Sequence, residues 1–392
     1  MRIAVRFWIA NKRNKLQKQQ FNKSKQIYKG GFVAKRVVVG MSGGVDSAVA
    51  AALLKEQGFD VVGLYMSNWK ETDDAGCCTG EQDWTDVQYI CGKLGIPYYS
   101  CDFSEQYMDN VFKLFVEEYK KGRTPNPDVL CNREVKFGPF ADFARELGAD
   151  YIATGHYCRV RHDGDMHYLL RAKDDNKDQT YFLNQVSSHQ LRDVIFPLGD
   201  LLKPEVRELA RKYDIPVAEK KDSTGICFIG ERNFRNFLSN YIPMKEGDIV
   251  TQDGKVVGRH QGVYFYTLGQ RRGLGIGGSA DGNGERWFVL GKDVEKNLLI
   301  VSQGEDDILF KDGLVTEGFN FITPPPAKEF DCEVRIKHRQ PLQKAHATVL
   351  DNGDVQIDFE VKQRAIAPGQ YAVIYVGEIC LGGGVINRTF SE

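Results

Sequence analysis

The chain has 392 residues and nearly balanced charge, with 52 Lys and Arg against 53 Asp and Glu. It is too long for one typical hydrophobic core, so two or three domains are expected. No apolar run approaches the roughly 18 residues that a membrane span requires, which argues against a membrane protein. The nine cysteines are odd in number and scattered, which favours reduced thiols in a cytoplasmic protein over a secreted disulfide framework.

The first 34 residues form a basic segment, because no acidic residue precedes Asp46 while Lys and Arg recur from Arg2 onward. The apolar run from Val5 to Ala10 is short and is interrupted by an arginine, so it does not fit a signal peptide. Residues 1–34 are therefore predicted to be a disordered extension. An arm that contacts a nucleic acid and an organelle signal are the alternatives.

From Lys35 to about Asp222, β-rich runs alternate with helical patterns, which predicts a parallel sheet covered by helices. Val37–Val39 fits a buried strand, Asp46–Gln57 a helix and Val61–Met66 the next strand. Three later helices and one later strand are predicted at Thr85–Leu94, Glu105–Lys120, Pro139–Leu147 and Tyr151–Thr154. The predicted fold class is α/β, with a doubly wound domain whose ligands bind at the carboxyl ends of the strands.

The glycine pair Gly43-Gly44 lies between the first predicted strand and its helix. Free backbone N–H groups and the helix dipole favour an anion there, and the hydroxyls of Ser42 and Ser47 can add donors. A P-loop kinase or GTPase would need a lysine after the glycines. None follows here, so transfer of a γ-phosphate is disfavoured. The alternative is a turn that merely joins strand to helix.

Beyond Cys227 the chain changes to short segments separated by turns, with Gly-rich stretches at Leu268–Gly278 and Ser279–Gly284. A small mixed or β domain is predicted there, at residues 228–303. Later, Pro324–Pro326 predicts a stiff connector. In the last part of the chain, paired strands are predicted at His346–Leu350 with Asp354–Phe359, and at Tyr371–Tyr375 with Ile379–Leu381. These pairs predict a small antiparallel barrel or sandwich at residues 304–392, of which the β-barrel is the favoured form.

Ser42–Ser47 resembles the SGGxDS loop of the N-type ATP pyrophosphatases, or PP-loop proteins, which cleave ATP between the α and β phosphates. This resemblance implies a PP-loop catalytic domain at residues 35–227, with Met66 against adenine and Gly155 near the ribose or base. Asp46 would help to hold Mg²⁺. The residues around the phosphates would be Gly40, Met41, Ser42, Gly43, Gly44, Val45, Asp46 and Ser47.

Gly122–Asn132 and Lys221–Gly230 resemble the two cysteine motifs of the tRNA-specific 2-thiouridylases. Four more segments are similar to blocks of that family: Gly63–Trp69, Ala153–Tyr157, Lys177–Gln179 and Leu268–Gly278. The resemblance implies ATP-dependent transfer of sulfur to C2 of a uridine, at the wobble position of the Glu, Gln and Lys tRNAs. It also implies a protein persulfide as the sulfur source, supplied by a sulfur-relay protein or a cysteine desulfurase.

The same resemblance assigns roles to three residues. Cys227 would carry the persulfide and Cys131 would resolve or deliver it, through a transient Cys131–Cys227 disulfide. Asp128 would be catalytic, either as a general acid or base or by orienting the uracil N3–H. Cys131 is expected in a Pro- and Asn-containing loop, where a reactive group can meet substrate. An iron–sulfur cluster held by Asp128, Cys131 and Cys227 is a less favoured alternative.

Contacts with tRNA are implied at three places in the chain. The first surrounds the target base, and the others lie after the last predicted strand and in the C-terminal domain. The residues are Asn126, Pro127 and Asp128; His156, Lys177, Asp178 and Gln179; and Lys337, His338 and Gln370. The alternative for Arg335, Lys337 and Arg339 is a solvated strand face.

The remaining cysteines are expected to have structural or loop positions. Burial in the core is predicted for Cys91, Cys101, Cys158, Cys332 and Cys380. Cys77-Cys78 is predicted to lie in a mobile lid loop.

Two other functions remain open from the residues. One is an ATP-dependent amidotransferase or ligase acting on a small carboxylate. The chemistry of such an enzyme does not require a pair of cysteines. The other is a catalytically silent tRNA-binding protein.

Overall fold

The computed structural model describes residues 34–69, 79–222, 234–276, 285–304 and 306–391. Its described part contains three sheets. The first is a parallel five-stranded sheet of β1 (Arg36–Met41), β2 (Asp60–Ser67), β3 (Tyr98–Asp102), β4 (Tyr151–Ala153) and β7 (Val194–Ile195), in the order β3-β2-β1-β4-β7. The predicted α/β class is confirmed, together with the predicted strands at Val37–Val39, Val61–Met66 and Tyr151–Thr154.

Helices cover this sheet and continue into the next part of the chain. They are α1 (Val45–Glu56), α2 (Thr79–Leu94), α3 (Ser104–Tyr107), α4 (Lys113–Lys120), α5 (Pro127–Cys131), α6 (Pro139–Glu146), α7 (Lys203–Lys212) and α8 (Phe234–Ser239). π-helical turns follow α3 at Met108–Phe112 and α5 at Asn132–Lys136. Short 3-10 turns occupy Thr180–Leu183, His189–Leu191, Val263–Phe265 and Asp307–Leu309. Among the described residues, no helix combines the length and apolar character needed to cross a membrane.

The centre of the parallel sheet is β1, which pairs with β2 on one side and with β4 on the other. Connections therefore leave β1 and β4 toward opposite sides, and a ligand crevice opens at the carboxyl ends of these strands. Helix α1 begins in that crevice. Its run Ala48–Ala52 is at most 4 % exposed, because small side chains let the helix pack closely against the sheet and α7.

The second sheet is small and mixed, and it has its own apolar core around Ile249, Val289 and Leu299. It contains β8 (Gly247–Thr251), β9 (Val256–His260), β10 (Trp287–Asp293) and β11 (Leu298–Gln303), in the order β10-β11-β8-β9. Strands β8 and β11 are parallel and the other pairs are antiparallel.

The third sheet closes into the predicted antiparallel barrel. Its strands are β12 (Phe310–Phe321), β13 (Glu329–Arg335), β14 (Gln343–Val349), β15 (Val355–Arg364), β16 (Tyr371–Val376) and β17 (Ile379–Phe390). Strand β12 pairs with both β15 and β17, which completes a six-stranded barrel. The predicted β14–β15 pairing across Asn352-Gly353 is present.

A hairpin from the N-terminal half extends the barrel sheet. Its strands are β5 (Arg159–Asp163) and β6 (Met166–Leu170), and β6 pairs with β17 through Leu169↔Cys380 and Leu170↔Ile379. Sequence reasoning did not anticipate this junction. The N-terminal half of the chain and the barrel therefore share one sheet.

A buried ion pair also joins the two halves. The Arg335 guanidinium on β13 lies 2.5 Å from the Asp178 carboxylate, and the two side chains are 5 % and 0 % exposed. Thr180 donates a further hydrogen bond to Asp178. The solvated strand face considered for Arg335 is therefore wrong, because its charge has a partner from a distant loop.

Replacing Arg335 with methionine should destabilise the protein strongly. The change leaves the buried Asp178 carboxylate with the more distant Arg171 guanidinium, whose Nε lies 3.9 Å away, and breaking a buried pair in this way costs about 3–5 kcal/mol. Denaturant unfolding of the full chain measures the loss. Lys328→Met is the matched control, because Lys328 pairs with Asp351 on the barrel surface where both side chains are exposed. Equal stability of the two variants would contradict the expectation.

Candidate functional site

The glycine loop between β1 and α1 is shaped to admit an anion. Gly43 has φ +72°, and a Cβ there would lie 2.8 Å from the carbonyl oxygen of Asp83. Gly44 precedes α1 in an extended conformation and offers no side-chain cap to the helix. The first N–H groups of α1 therefore face the crevice, where an anion can accept from them.

The two serines of the loop have different tasks. Ser47 is 3 % exposed, accepts a hydrogen bond from Ser42 N at 3.2 Å and donates to Gly44 O at 3.1 Å. It therefore fixes the shape of the loop. Ser42 is exposed, with its Oγ 3.2 Å from that of Ser47, so its hydroxyl can reach a ligand.

Gly155 follows β4 and lies directly against the start of α1. A Cβ on Gly155 would be 2.8 Å from Ser47 N and 2.9 Å from Asp46 C. Any larger residue would push the helix terminus away from the sheet. The structure thus supplies a steric reason for this glycine, whereas its predicted contact with ribose or base stays a prediction.

The Asp46 carboxylate in the first turn of α1 has two hydrogen-bond donors. Tyr157 OH lies 2.8 Å from Oδ1, and Lys203 Nζ lies 2.7 Å from Oδ1 and 2.8 Å from Oδ2. Burial, followed by the nearby Asp46 charge, raises the pKa of Tyr157. Tyr157 therefore remains a protonated donor.

Lys203 was missed by the sequence analysis. It starts α7, is 12 % exposed at its side chain, and bridges Asp46 to Asp222, whose Oδ1 lies 2.8 Å from Nζ. Lys177 and Arg207 also pair with Asp222, at 2.6 and 2.8 Å. Burial alone would raise the pKa of Asp222, but the Lys177 and Lys203 ammonium groups outweigh it and hold that pKa at about 2.

A second lysine, Lys220, contacts the glycine loop from the segment that contains Asp222. Lys220 Nζ lies 3.3 Å from Gly43 O, 3.0 Å from Asp83 and 2.8 Å from Asp86. Residues 220–222 are thus connected to Gly43 through Lys220, and to Asp46 at the start of α1 through the Lys203 bridge. The chain then continues toward Cys227, which lies outside the described residues.

Cys131 ends helix α5, so the expected loop position is corrected to a helical one. Asn126 caps this helix by accepting from Asp128 N at 3.2 Å, and Pro127 occupies its first turn. The Cys131 side chain is fully buried, with the Asn68 amide nitrogen 4.0 Å from its Sγ. A π-helical turn follows directly, a feature frequent at functional sites.

The tRNA-contact residues predicted near the crevice are mostly engaged inside the protein. His156 is buried with its Nδ1 2.7 Å from Thr154 Oγ1, and burial, followed by the Lys136 charge, lowers its pKa well below the usual value. Gln179 accepts from Tyr157 N at 2.9 Å. Asp178 is fully buried in the ion pair described above, and Lys177 pairs with Asp222. Their contacts with tRNA stay predictions.

The predicted barrel contacts have internal partners as well. Lys337 donates to Arg364 O at 2.9 Å, and Gln370 donates to Thr124 O at 2.6 Å. The His338 ring lies 4.4 Å from that of Phe182. Burial and then the neighbouring Arg339 and Arg335 charges lower the pKa of His338 to about 4. His338 is therefore neutral at pH 7 and offers a ring face and a polar edge rather than a charge.

Met66 lies near the carboxyl end of β2, 6 % exposed, and packs in the same apolar cluster as Trp69 and Cys131. Its contact with adenine stays a prediction. Four cysteines are buried as predicted: Cys91, Cys158, Cys332 and Cys380. Cys101 is only half-buried, and Cys77-Cys78 lies outside the described residues.

Comparison with known proteins gives one consistent family. Residues 35–231 match a family model described as the tRNA methyl transferase HUP domain. Residues 235–303 match a model described as the tRNA methyl transferase PRC-barrel domain. Residues 311–386 match a model described as the aminomethyltransferase beta-barrel domain.

Two curated relatives are similar over nearly their whole length. The tRNA-specific 2-thiouridylase MnmA of Oceanobacillus iheyensis is 54% identical over 90% of this chain and 95% of its own. The protein of the same name from Bacillus subtilis is 51% identical over 91% and 96%. Among solved structures, the U34-tRNA thiolase NcsA of Methanococcus maripaludis is 18% identical over 57% of this chain and 70% of its own, with a TM-score of 0.34. A likeness that weak supports no functional detail.

Replacing Gly155 with alanine should damage the anion-binding loop. The added methyl group would overlap Ser47 N, and overpacking of this kind costs about 1–3 kcal/mol. We expect a lower melting temperature and weaker ATP binding by calorimetry. Gly92→Ala is the matched control, since Gly92 lies in α2 with open space at its Cβ position, where alanine should stabilise by about 1 kcal/mol. Normal ATP binding by Gly155→Ala would refute this steric role.

Proposed function

The chain belongs to the tRNA-specific 2-thiouridylase family, and we propose that it replaces the O2 oxygen of a tRNA uridine with sulfur at the expense of ATP. The observation that carries this proposal is the 54% identity to a curated 2-thiouridylase across 90% of the chain. The glycine loop at the carboxyl end of β1 supports the ATP-dependent half of the reaction.

The first step activates the uridine. Its O2 atom attacks the α-phosphorus of ATP, the bond to the β-phosphate oxygen breaks, and pyrophosphate leaves. The O2-adenylate then carries AMP as a leaving group on C2. Asp128, held at the start of α5 by the Asn126 cap, would take the proton from N3 as the electron density moves to O2.

The second step delivers sulfur. The terminal sulfur of a Cys227 persulfide attacks C2, and AMP leaves with the C2–O electron pair. The Cys131 thiolate then attacks the Cys227 sulfur, which releases 2-thiouridine and leaves a Cys131–Cys227 disulfide. An external thiol reductant regenerates the two thiols. The order of these sulfur-transfer steps rests on the family resemblance. Thiolates are the nucleophiles that such steps require.

The phosphates of ATP fit the described loop. Backbone N–H groups of α1 and the exposed Ser42 hydroxyl would bind them, with Lys203 and Lys220 as nearby cations. Mg²⁺ would supply positive charge to the phosphate oxygens through Asp46, whose carboxylate is a suitable hard ligand. Because Lys203 already binds Asp46, the lysine and the metal ion would share or exchange this carboxylate.

Several finer points belong to the same proposal. The substrate uridine would be the wobble base of the Glu, Gln and Lys tRNAs, and the persulfide would come from a sulfur-relay protein or a cysteine desulfurase. The catalytic domain would span residues 35–227, the central domain 228–303 and the tRNA-contacting barrel 304–392.

A reconstituted reaction tests the function. Purified protein with Mg²⁺, ATP, unmodified tRNA and a persulfide donor should produce 2-thiouridine, AMP and pyrophosphate. Nucleoside mass spectrometry distinguishes sulfur replacement from an added methyl group, which the description of the family model would suggest. Cys131→Ala and Cys227→Ala should each abolish thiolation, with Cys91→Ala as a control in the core. Turnover by either of the first two variants would contradict the sulfur mechanism.

The same assay separates the proposal from its rivals. A catalytically silent tRNA-binding protein would release no pyrophosphate. An iron–sulfur enzyme would lose activity when prepared without iron, so anaerobic purification with iron analysis is run in parallel. Thiolation by iron-free protein supports the persulfide route.

Lys203→Met should weaken ATP binding about tenfold, the equivalent of roughly 1.4 kcal/mol. The substitution removes the cation from Asp46 and leaves that carboxylate facing the phosphates, whereas Asp222 keeps Lys177 and Arg207 as partners. Calorimetric titration with Mg-ATP measures the dissociation constant. Lys212→Met, on the exposed end of the same helix, is the control. An unchanged dissociation constant in Lys203→Met would refute a role for Lys203 at the phosphates.

A further inference from the structure

The loop that leads to Asp128 is held by the C-terminal barrel. Gln370, just before β16, donates from Nε2 to Thr124 O at 2.6 Å, and Thr124 N donates to Pro368 O at 2.9 Å. Both backbone polar groups of Thr124 are thus bound to one turn of the barrel. The central domain adds a third contact, because Thr124 Oγ1 lies 2.9 Å from Thr267 Oγ1.

The barrel turn is shaped for this contact. Gly369 has φ +93°, and a Cβ there would lie 2.8 Å from Thr124 N, so only glycine lets the two backbones approach. Next to it, Arg123 donates to Ile386 O at 3.0 Å and pairs with Glu317 at 2.6 Å. Ile386 N in turn donates to Gln370 O at 2.7 Å. Neighbouring residues of the loop therefore bind the same edge of the barrel.

The loop is stiff between Thr124 and the catalytic residues. Pro125 and Pro127 are both buried, and each proline ring fixes its own φ and restricts the residue before it. Asn126, between them, is held as the cap of α5. A displacement of Thr124 would consequently be carried to Asp128 rather than absorbed by the intervening chain.

The other end of the Gln370 amide lies against the buried turn that follows Lys177–Gln179. Its Oε1 lies 3.4 Å from Tyr181 OH, and Tyr181 lies in the 3-10 turn that follows Lys177–Gln179. The Tyr181 ring is 6.1 Å from that of His338. Gln370 therefore lies between residues predicted to contact tRNA and the loop that carries Asp128.

We propose that Gln370 is a positioning residue for the thiolation reaction, which holds the Thr124–Asp128 loop in its reactive place through Thr124 O, rather than a residue whose main role is to bind tRNA. This inference rests on the proposed function. The barrel is accordingly a part of the catalytic site as well as a surface for the substrate.

Gln370→Met tests this role, because methionine has a similar length and no hydrogen-bond donor. Single-turnover thiolation at saturating tRNA and ATP should slow by roughly 10- to 100-fold, the range expected when a reacting group is displaced by about 1 Å. The tRNA dissociation constant, measured by filter binding, should change by less than about twofold. A tenfold weaker tRNA affinity with an unchanged saturating rate would overturn the proposal, as would no change in either quantity.

Two further variants separate positioning from general damage to the fold. Gln356→Met makes the same substitution on β15, where Gln356 bonds to Asp358 within the barrel, and it should keep the wild-type rate. Glu317→Ala removes one carboxylate that pairs with Arg123, at a side chain that is 42 % exposed. It should slow the saturating rate in the same direction as Gln370→Met, with melting temperature unchanged. A wild-type rate in Glu317→Ala together with a lower melting temperature in Gln370→Met would assign a purely structural role and overturn the inference.

The wild-type reaction keeps the two proposals distinct. If the wild-type protein forms no 2-thiouridine, the proposed function fails. If the wild type is active and Gln370→Met thiolates at the same saturating rate, only the positioning role fails.

Discussion

The Lys203 ammonium group lies between two carboxylates from distant parts of the chain, and the geometry of the crevice depends on that arrangement. Asp46 belongs to the glycine loop and Asp222 to the segment leading toward Cys227. The Lys203 side chain is only 12 % exposed and contacts both carboxylates. It therefore fixes the start of α1 relative to residues 220–222. A single cation thus joins the glycine loop to the segment that precedes Cys227 in the chain.

Sequence reasoning succeeded where the information is local. The strand, glycine turn and helix at residues 36–56 follow one another directly, so their hydrophobic pattern and turn residues determine them without help from the rest of the chain. The barrel hairpin across Asn352-Gly353 was predictable for the same reason. Helix α2, by contrast, begins at Thr79 rather than the expected Thr85. Its first turns contain polar residues and depend on Trp84 packing against Tyr65 and Tyr98, contacts that no local pattern reveals.

The errors at the site have the same origin. Lys203 is 157 residues from Asp46 in the chain, so no motif joins them, and only folding brings a lysine to the glycine loop. Arg335 alternates with apolar residues on β13 in a way that is typical of a solvated face, yet the loop carrying Asp178 covers it. The tRNA contact of Gln370 stays a prediction, but its amide also donates to Thr124 in the loop before α5, a contact that the sequence did not reveal. In each case the sequence does not show which loop, distant in the chain, packs against the residue in the folded protein.

The β5–β6 hairpin has a consequence for how this architecture can be divided. Because β6 forms hydrogen bonds with β17, the boundary between the N-terminal half and the barrel runs through a continuous sheet and not through a linker. A barrel separated from residues 159–170 would leave Ile379 and Cys380, at the start of β17, without their partners on β6, and unpaired strand segments recruit other chains. A fragment meant to contain the whole barrel sheet must therefore include residues 159–170.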